Sequence, residues 1–393
     1  MAMSVTCPVC ASADIAFFCD IPHVPVHVGL LWQSRDAALA CPKGDIRLMF
    51  CHQCGFIANS AFDPALLRYT QEYDNTLSCS SFFQGYIHAL ASQLIERYNL
   101  YGKDLIEIGC GSGDFLKILC ELGNNRGVGF DPSLSSDHVS QGTEQQVTFI
   151  KDFFSEKYAQ YHPDFICSRQ VLEHIHEPML FLDMLRRAIG NRFNTVIFCE
   201  VPNTFYILRD LSVWDIIYEH CSYFSHESLT NVFALSNFHV CNLTEIFEGQ
   251  FLGIEARPSE TRNEPGRLQV QTPGNLKHYV SAFPERFREK MEQWQVALGQ
   301  LANSGGKAVL WGAGARGISF LNMLDIRSQI EFVVDINPNK EGKYMAGTGQ
   351  QIVLPEFLEG YNPDVVILTN PIYRNEIHHT LDALGIHPQL IDA

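Results

Sequence analysis

Two glutamate–histidine pairs carry the residue types of acid–base chemistry. They are Leu172-Glu173-His174-Ile175 and Tyr218-Glu219-His220-Cys221-Ser222-Tyr223-Phe224-Ser225. Histidine is the side chain best matched to proton abstraction near neutral pH, and a neighbouring carboxylate can orient it or raise its basicity. Removing a proton beside a carbonyl also needs a donor for the enolate oxygen, a part that a tyrosine or a second histidine can play. His220 is therefore the expected base, with Glu219 as its acid partner and His174 or a tyrosine as the enolate donor. A solitary histidine more often caps a helix or fills a polar notch, and His176 and His226 are read that way.

A second constellation is Glu107-Ile-Gly-Cys-Gly-Ser-Gly113. Gly109, Gly111 and Gly113 permit a tight turn and close approach of a ligand to the backbone. The spacing is not that of a dinucleotide turn, because the third glycine would fall at Asp114 or Leu116. A loop with no pyrophosphate to cradle suits a nucleoside. Asp131, in Gly129-Phe130-Asp131, is placed to accept hydrogen bonds from ribose hydroxyls. Asp152 and Phe153 follow the next short apolar run, where an acid and an aromatic can flank an adenine.

Cys7-Pro-Val-Cys10 and Cys51-His-Gln-Cys54 are two knuckles able to supply four thiolates to one structural zinc. The alternative is a redox pair or unrelated thiols. A closed four-cysteine site leaves no open position, so its role would be folding. Near the other end, Gly312-Ala-Gly314-Ala-Arg316-Gly317 follows an apolar run and opens a helix, with Asp335 ending the next run. Taken alone, this turn suggests NAD. It equally allows an empty scaffold, or a diphosphate received by helix N-terminal amides and Arg316.

These groups need elements to position them. Candidate strands are Asp104–Ile108, Gly127–Phe130, Val147–Ile150, Phe165–Cys167, Val196–Cys199, Phe238–Leu243 and Phe251–Ala256. Helical patterns lie between most of them, which predicts a parallel, doubly wound α/β sheet with its ligands beyond the strand carboxyl ends. One such pattern shares Phe83, Tyr86, Ile87, Leu90, Leu94 and Tyr98 on a face. Prolines and glycines interrupt Arg257 to Lys277. A helix is expected from about Pro284, with Phe287, Met291, Trp294, Leu298 and Leu301 on one stripe. The predicted units are 1–75 (zinc module), 76–257 (nucleoside-binding sheet) and 278–393 (a second Rossmann-like unit).

The chain of 393 residues carries 28 Lys plus Arg against 44 Asp plus Glu, a net charge of −16. An acidic surface argues against a nucleic-acid or anionic-membrane partner. No apolar run approaches the ~20 residues of a membrane span. The amino terminus lacks a charged region followed by an apolar stretch, so the 13 cysteines are read as reduced or metal-bound and the protein as cytoplasmic.

The glycine loop with Asp131 and Asp152 resembles class I S-adenosylmethionine-dependent methyltransferases. That resemblance implies a doubly wound Rossmann-like sheet. It implies cofactor contacts from Glu107, Gly109, Gly111, Gly113, Asp131, Asp152 and Phe153. The order of the three units is similar to that of the C-methyltransferases of deoxysugar biosynthesis. Matching stretches are Leu172-Glu-His-Ile175, Val201-Pro-Asn203, Glu219-His220 with Ser222–Ser225, Val334-Asp-Ile-Asn-Pro338-Asn-Lys340, and Pro363-Asp-Val-Val-Ile-Leu368. The resemblance implies methylation of a carbon beside the keto group of a nucleotide-linked sugar, with His220, Glu219 and His174 in the roles above. It maps a catalytic tyrosine loosely onto Tyr73, and implies substrate contacts from Tyr218, Tyr223, Asn203 and Arg316. The C-terminal unit would then hold substrate without NAD. A family tyrosine is replaced by Ile217, which opens the acceptor to other carbon acids such as a keto acid or polyketide-like intermediate. A non-enzymatic nucleotide-binding scaffold is the remaining alternative.

Overall fold

The computed structural model describes residues 5–67, 77–134, 146–260 and 274–393. Three sheets organise these residues. The first contains β1 (Ile15–Pro25), β2 (Lys43–Cys51) and β3 (Ile57–Asn59), all antiparallel. Its fourth strand is the two-residue segment Ser222–Tyr223, contributed from far along the chain and paired with Ile57–Ala58.

The central sheet has seven strands. In chain order they are β4 (Asp104–Ile108), β5 (Arg126–Phe130), β6 (Val147–Ile150), β7 (Phe165–Arg169) and β8 (Val196–Pro202), then, after β9 (Ser222–Tyr223) of the first sheet, β10 (Phe238–Ile246) and β11 (Phe251–Pro258). Spatially they run β10-β11-β8-β7-β4-β5-β6. The five strands β4 to β8 are parallel. The expected parallel, doubly wound pattern holds for these five strands, and the last two differ: β10 and β11 form an antiparallel hairpin, and β11 pairs antiparallel with β8. Only a short turn separates them, too little chain for a parallel crossover. The buried runs Leu105–Ile108 and Val196–Val201 reflect sheet faces covered on both sides.

The third sheet is fully parallel, in the order β14-β13-β12-β15-β16, from β12 (Ala308–Trp311), β13 (Ile330–Val334), β14 (Gln351–Val353), β15 (Val365–Leu368) and β16 (Gln389–Asp392). A helix spans Gly274–Asn303 and leads into it. It begins about three turns earlier than the prediction from Pro284. Leu276, Val280 and Phe283 are buried and extend the same stripe into Met291 and Leu298. Burial of that stripe outweighs the cost of an internal proline.

One apolar cluster joins β1 and β2, the segment 207–223, this long helix and the third sheet. The chain between β8 and β10 is thus packed against the units on either side of it. No helix among the described residues is long and apolar enough to cross a membrane.

Candidate active site

Two short segments meet beyond the carboxyl ends of β7 and β8. The 3-10 turn Leu172–His174 follows β7. The segment Glu219–Ser222 is zipped against it by hydrogen bonds to main-chain carbonyls. The Cys221 amide donates to the Glu173 carbonyl (3.0 Å), His174 Nδ1 donates to the Glu219 carbonyl (3.1 Å), and Ser222 Oγ donates to the Ile175 carbonyl (2.8 Å). This brings His174 and His220 edge to face, their ring centroids 5.0 Å apart. A carboxylate oxygen of Glu173 and one nitrogen of each ring lie within 4.8 Å of one another.

The surroundings favour neutral groups. Burial pushes His220 down to about 4, and burial together with the neighbouring His220 pushes His174 down to about 3. Burial raises the Glu173 carboxyl well above the carboxylate range, and neither of its oxygens has a hydrogen-bond partner among the described residues. Glu173 was named in the sequence only as part of a motif; the fold places it beside both histidines.

His220 Nδ1 donates to the main-chain carbonyl of Asp215 at 3.2 Å. A carbonyl accepts only, so the proton sits on Nδ1 and the lone pair on Nε2. The expected orienting group, the Glu219 carboxylate, instead accepts from the Val28 amide at 2.7 Å and ties the site to the amino-terminal unit. Asp215 carries no sequence signal that singles it out.

The other predicted acceptor contacts are held in packing. Tyr218 is buried, lies against Gly44, and accepts a hydrogen bond from the Asp63 amide (2.8 Å). Tyr223 is buried and donates to the Ile217 carbonyl (3.4 Å). Asn203 caps the helix Thr204–Arg209 by accepting from the Phe205 amide (3.0 Å), and donates to the Gly249 carbonyl (2.9 Å). Arg316 makes a two-pronged pair with Asp215 (2.6 and 2.8 Å) and donates to Gln250 Oε1 (2.9 Å). The expectation of a guanidinium waiting for a diphosphate therefore meets one already engaged. Tyr73 lies outside the described residues.

The glycine loop opens at the end of β4. Gly109, Gly111 and Gly113 all have positive φ (72°, 52° and 78°). A Cβ on Gly109 would lie 2.2 Å from Val171, and one on Gly113 2.2 Å from Phe149, whereas one on Gly111 would meet no heavy atom within 4 Å. The space over Gly111 is open among the described residues. Asp131 accepts from the Gly111 amide (3.0 Å) and from Ser133. Glu107 is buried, accepts from the Leu116 amide (3.1 Å), and is pushed up to about 8, chiefly by burial. Asp152 is paired with Lys157, which lowers its carboxyl, and accepts from Tyr158 Oη at 2.7 Å. Phe153 is 66% exposed. Beneath the loop, Arg169 lies 4.4 Å over the Phe115 ring and pairs with buried Glu200 (3.0 Å), which also accepts from Tyr86 and Gln170. Sequence reading missed this buried ion pair because its members are scattered.

The four thiols converge. Cys7 and Cys54 sulfurs are 3.6 Å apart and Cys10 and Cys51 sulfurs 3.5 Å apart, all within 4.8 Å. The edge of a tetrahedron with ~2.3 Å metal–sulfur bonds is about 3.8 Å, so the cluster fits zinc. Asn231 Nδ2 donates to the Cys54 carbonyl (3.2 Å), fastening this knuckle to the helix His226–Leu235.

Comparisons with known proteins agree with this geometry. Residues 83–243 match the family described as "Methyltransferase domain", and residues 271–386 match "C-methyltransferase C-terminal domain". The chain is 25% identical over 389 residues to C-methyltransferase NovU of Streptomyces niveus, covering 94% of this chain and 90% of that protein. Among solved structures, an S-adenosylmethionine-dependent methyltransferase from Mesorhizobium loti aligns with a TM-score of 0.34 at 14% identity, covering 44% of this chain and 99% of that one. The dimethyltransferase RosA from Streptomyces davawensis aligns with a TM-score of 0.37 at 16% identity, covering 45% and 55%. The chain is an S-adenosylmethionine-dependent methyltransferase of the class I fold. Its second matched domain and its near full-length relative make it similar to C-methyltransferases.

Proposed function

We propose that this enzyme methylates a carbon alpha to a carbonyl in a small molecule, most like a nucleotide-linked keto-deoxysugar. The observation that carries the reading is the meeting of His220 with His174 and Glu173 beyond the strand ends, with His220 Nδ1 on a carbonyl. Its Nε2 takes the substrate proton. The neutral Glu173 carboxyl donates to the enolate oxygen, because the one N–H of neutral His174 is given to the Glu219 carbonyl, in a pocket where burial disfavours added charge. S-adenosylmethionine supplies a methyl group on a sulfonium, which leaves as S-adenosylhomocysteine when the methyl joins the nucleophilic carbon. Gly109, Gly111, Gly113 and Asp131 hold its amino-acid and ribose parts, with Asp152 and Phe153 at the adenine and Glu107 supporting the loop. Binding and orientation supply most of the rate. Tyr73 remains a proposed catalytic residue by resemblance.

The units divide at 1–75, 76–257 and 278–393. Zinc in the four-cysteine cluster serves folding, holding the strand that pairs with Ser222–Tyr223. Cysteines held as thiols or metal ligands, none of them in a disulfide, suit a reducing compartment, which supports a cytoplasmic location. The amides opening the helix Ala315–Met323, next to a Gly314 whose Cβ would meet nothing within 4 Å, are the proposed seat of an anionic group on the acceptor.

One observation favours a second acceptor class. Arg316 is held by Asp215, which removes the cation expected for a diphosphate, so a non-nucleotide carbon acid such as a keto acid is the alternative. Calorimetric titration of thymidine diphosphate into protein saturated with S-adenosylhomocysteine separates the two: micromolar binding supports the nucleotide sugar, and silence supports the other acid. His220→Asn is expected to lower transfer of labelled methyl to a thymidine-diphosphate-linked keto-deoxysugar by about 10²–10⁴-fold. Full turnover by that variant would remove His220 as the base.

A further inference from the structure

The carbonyl that holds His220 belongs to a residue gripped from another part of the chain. Asp215 ends a 3-10 turn, Val213–Asp215, after the helix Thr204–Arg209. Its carboxylate receives both prongs of Arg316, from the helix that follows β12. Arg316 and Asp215 are almost buried, at 13% and 17% side-chain exposure. Ser212 Oγ adds a hydrogen bond to the same carboxylate (2.7 Å). Arg316 is itself braced by Gln250 Oε1, whose amide exchanges two hydrogen bonds with Asn370 beyond β15 (3.0 and 3.1 Å).

The grip extends along the whole approach to the base. Arg286 donates to the carbonyls of Leu208 and Arg209 (3.1 and 3.0 Å), and Lys290 to that of Leu211 (2.8 Å). Ser319 Oγ donates to the Ile216 carbonyl (3.3 Å). Donors of the C-terminal region thus hold the main chain on both sides of Asp215. A two-pronged guanidinium–carboxylate pair fixes orientation as well as distance.

We propose that Arg316 is a positioning residue for the base: by clamping Asp215 it aims the Asp215 carbonyl at His220 Nδ1, keeping the Nε2 lone pair toward the acceptor. This rests on the reading of His220 as base. It assigns the C-terminal unit a part in assembling the base, beyond holding the acceptor. Arg316 acts through Asp215. A displacement of about 1 Å at a reacting group costs up to ~10²-fold in rate.

The test uses the full-length protein, its histidines labelled with ¹⁵N, bound to S-adenosylhomocysteine. Long-range ¹H–¹⁵N correlation reads the tautomer of each ring, and His220→Asn identifies the signal. Native protein is expected to show His220 as one neutral tautomer protonated on Nδ1. Arg316→Gln and Asp215→Asn are expected to give a mixture of tautomers, with Arg316→Lys in between. Circular dichroism and thermal melting verify that each variant is folded, and Asp215→Asn, which keeps volume and main chain, serves if Arg316→Gln does not fold. On a thymidine-diphosphate-linked keto-deoxysugar, a tenfold or larger fall in kcat with little change in KM accompanies the tautomer change. A single Nδ1–H tautomer surviving in folded Arg316→Gln and Asp215→Asn overturns the proposal. A rise in acceptor KM with unchanged tautomer also overturns it, and returns Arg316 to binding the acceptor. Either result leaves the base reading intact, because that falls only if His220→Asn keeps turnover.

Discussion

The molecule contains two strand–glycine-turn–helix units, and they use the same aspartate differently. In each, the aspartate at the end of the neighbouring strand accepts from an amide of the turn: Asp131 from Gly111 (3.0 Å), Asp335 from Ala313 (2.9 Å). Asp131 otherwise bonds Ser133 and stays partly exposed beside the open space over Gly111. Asp335 is buried, accepts also from the Asn337 amide (2.9 Å), and pairs with buried Lys340 (3.0 Å). The first carboxylate keeps capacity for ribose hydroxyls. The second is neutralised from inside its own unit. A glycine pattern reports that a turn can form; the cation beside its acid decides whether that acid is left available to ribose hydroxyls.

The largest expected effect separates the two acids. Asp335→Ala leaves Lys340 buried without its partner and should lower stability by about 3–5 kcal/mol in denaturant unfolding. It should not change S-adenosylhomocysteine affinity in the protein that remains folded. Asp131→Ala should do the reverse, weakening S-adenosylhomocysteine about tenfold to a hundredfold by calorimetry with little change in the unfolding midpoint. Similar behaviour of the two variants would erase the contrast.

The glycines give the next contrast. A Cβ on Gly317 would lie 2.1 Å from the Gly312 carbonyl oxygen, and backbone has to move to admit it. Gly317→Ala should cost about 1–3 kcal/mol. Gly111→Ala meets only the strain of its positive φ, about 1 kcal/mol, while its methyl enters the space proposed for the ligand. It should therefore weaken S-adenosylhomocysteine more than it lowers the melting temperature.

Acid pH sharpens the comparison, because the depressed histidines lie beyond the strands of the central sheet. Their folded values, about 4 for His220 and about 3 for His174, lie below the ordinary 6.5. The stability this represents is complete above about pH 6.5. It is lost as pH falls toward the folded values, because the unfolded chain takes up protons first. Groups facing His220 are His174, the Glu173 carboxyl and the Asp215 carbonyl. His220→Asn should shrink the fall in melting temperature between pH 7 and pH 5, and an unchanged slope would contradict the burial argument. The smallest signal expected is NAD, titrated into the same protein: no heat at concentrations that saturate S-adenosylhomocysteine. Micromolar binding would show that Lys340 does not keep Asp335 from a ribose.

Much of this arrangement was written in local sequence. Paired knuckles, the glycine loop with an acid after the next strand, and both glutamate–histidine pairs are short patterns. Their meaning comes from backbone geometry and side-chain chemistry within a few residues. The parallel strands β4 to β8 were legible for the same reason, since a buried run between helices leaves few topologies. The antiparallel edge was not, because pairing direction depends on the length of the connection.

What only the tertiary structure decided is who stands next to whom. Glu173 reaches His220 because the segment Glu219–Ser222 zips onto the turn after β7. The Glu219 carboxylate turns to Val28, and Asp215, unremarkable in sequence, holds His220 under the grip of Arg316. Residue types and spacing fix which chemistry a segment can perform. Distances of about 3 Å between segments a hundred residues apart arise only when buried apolar surface brings them together, and those distances assign each charged group its partner.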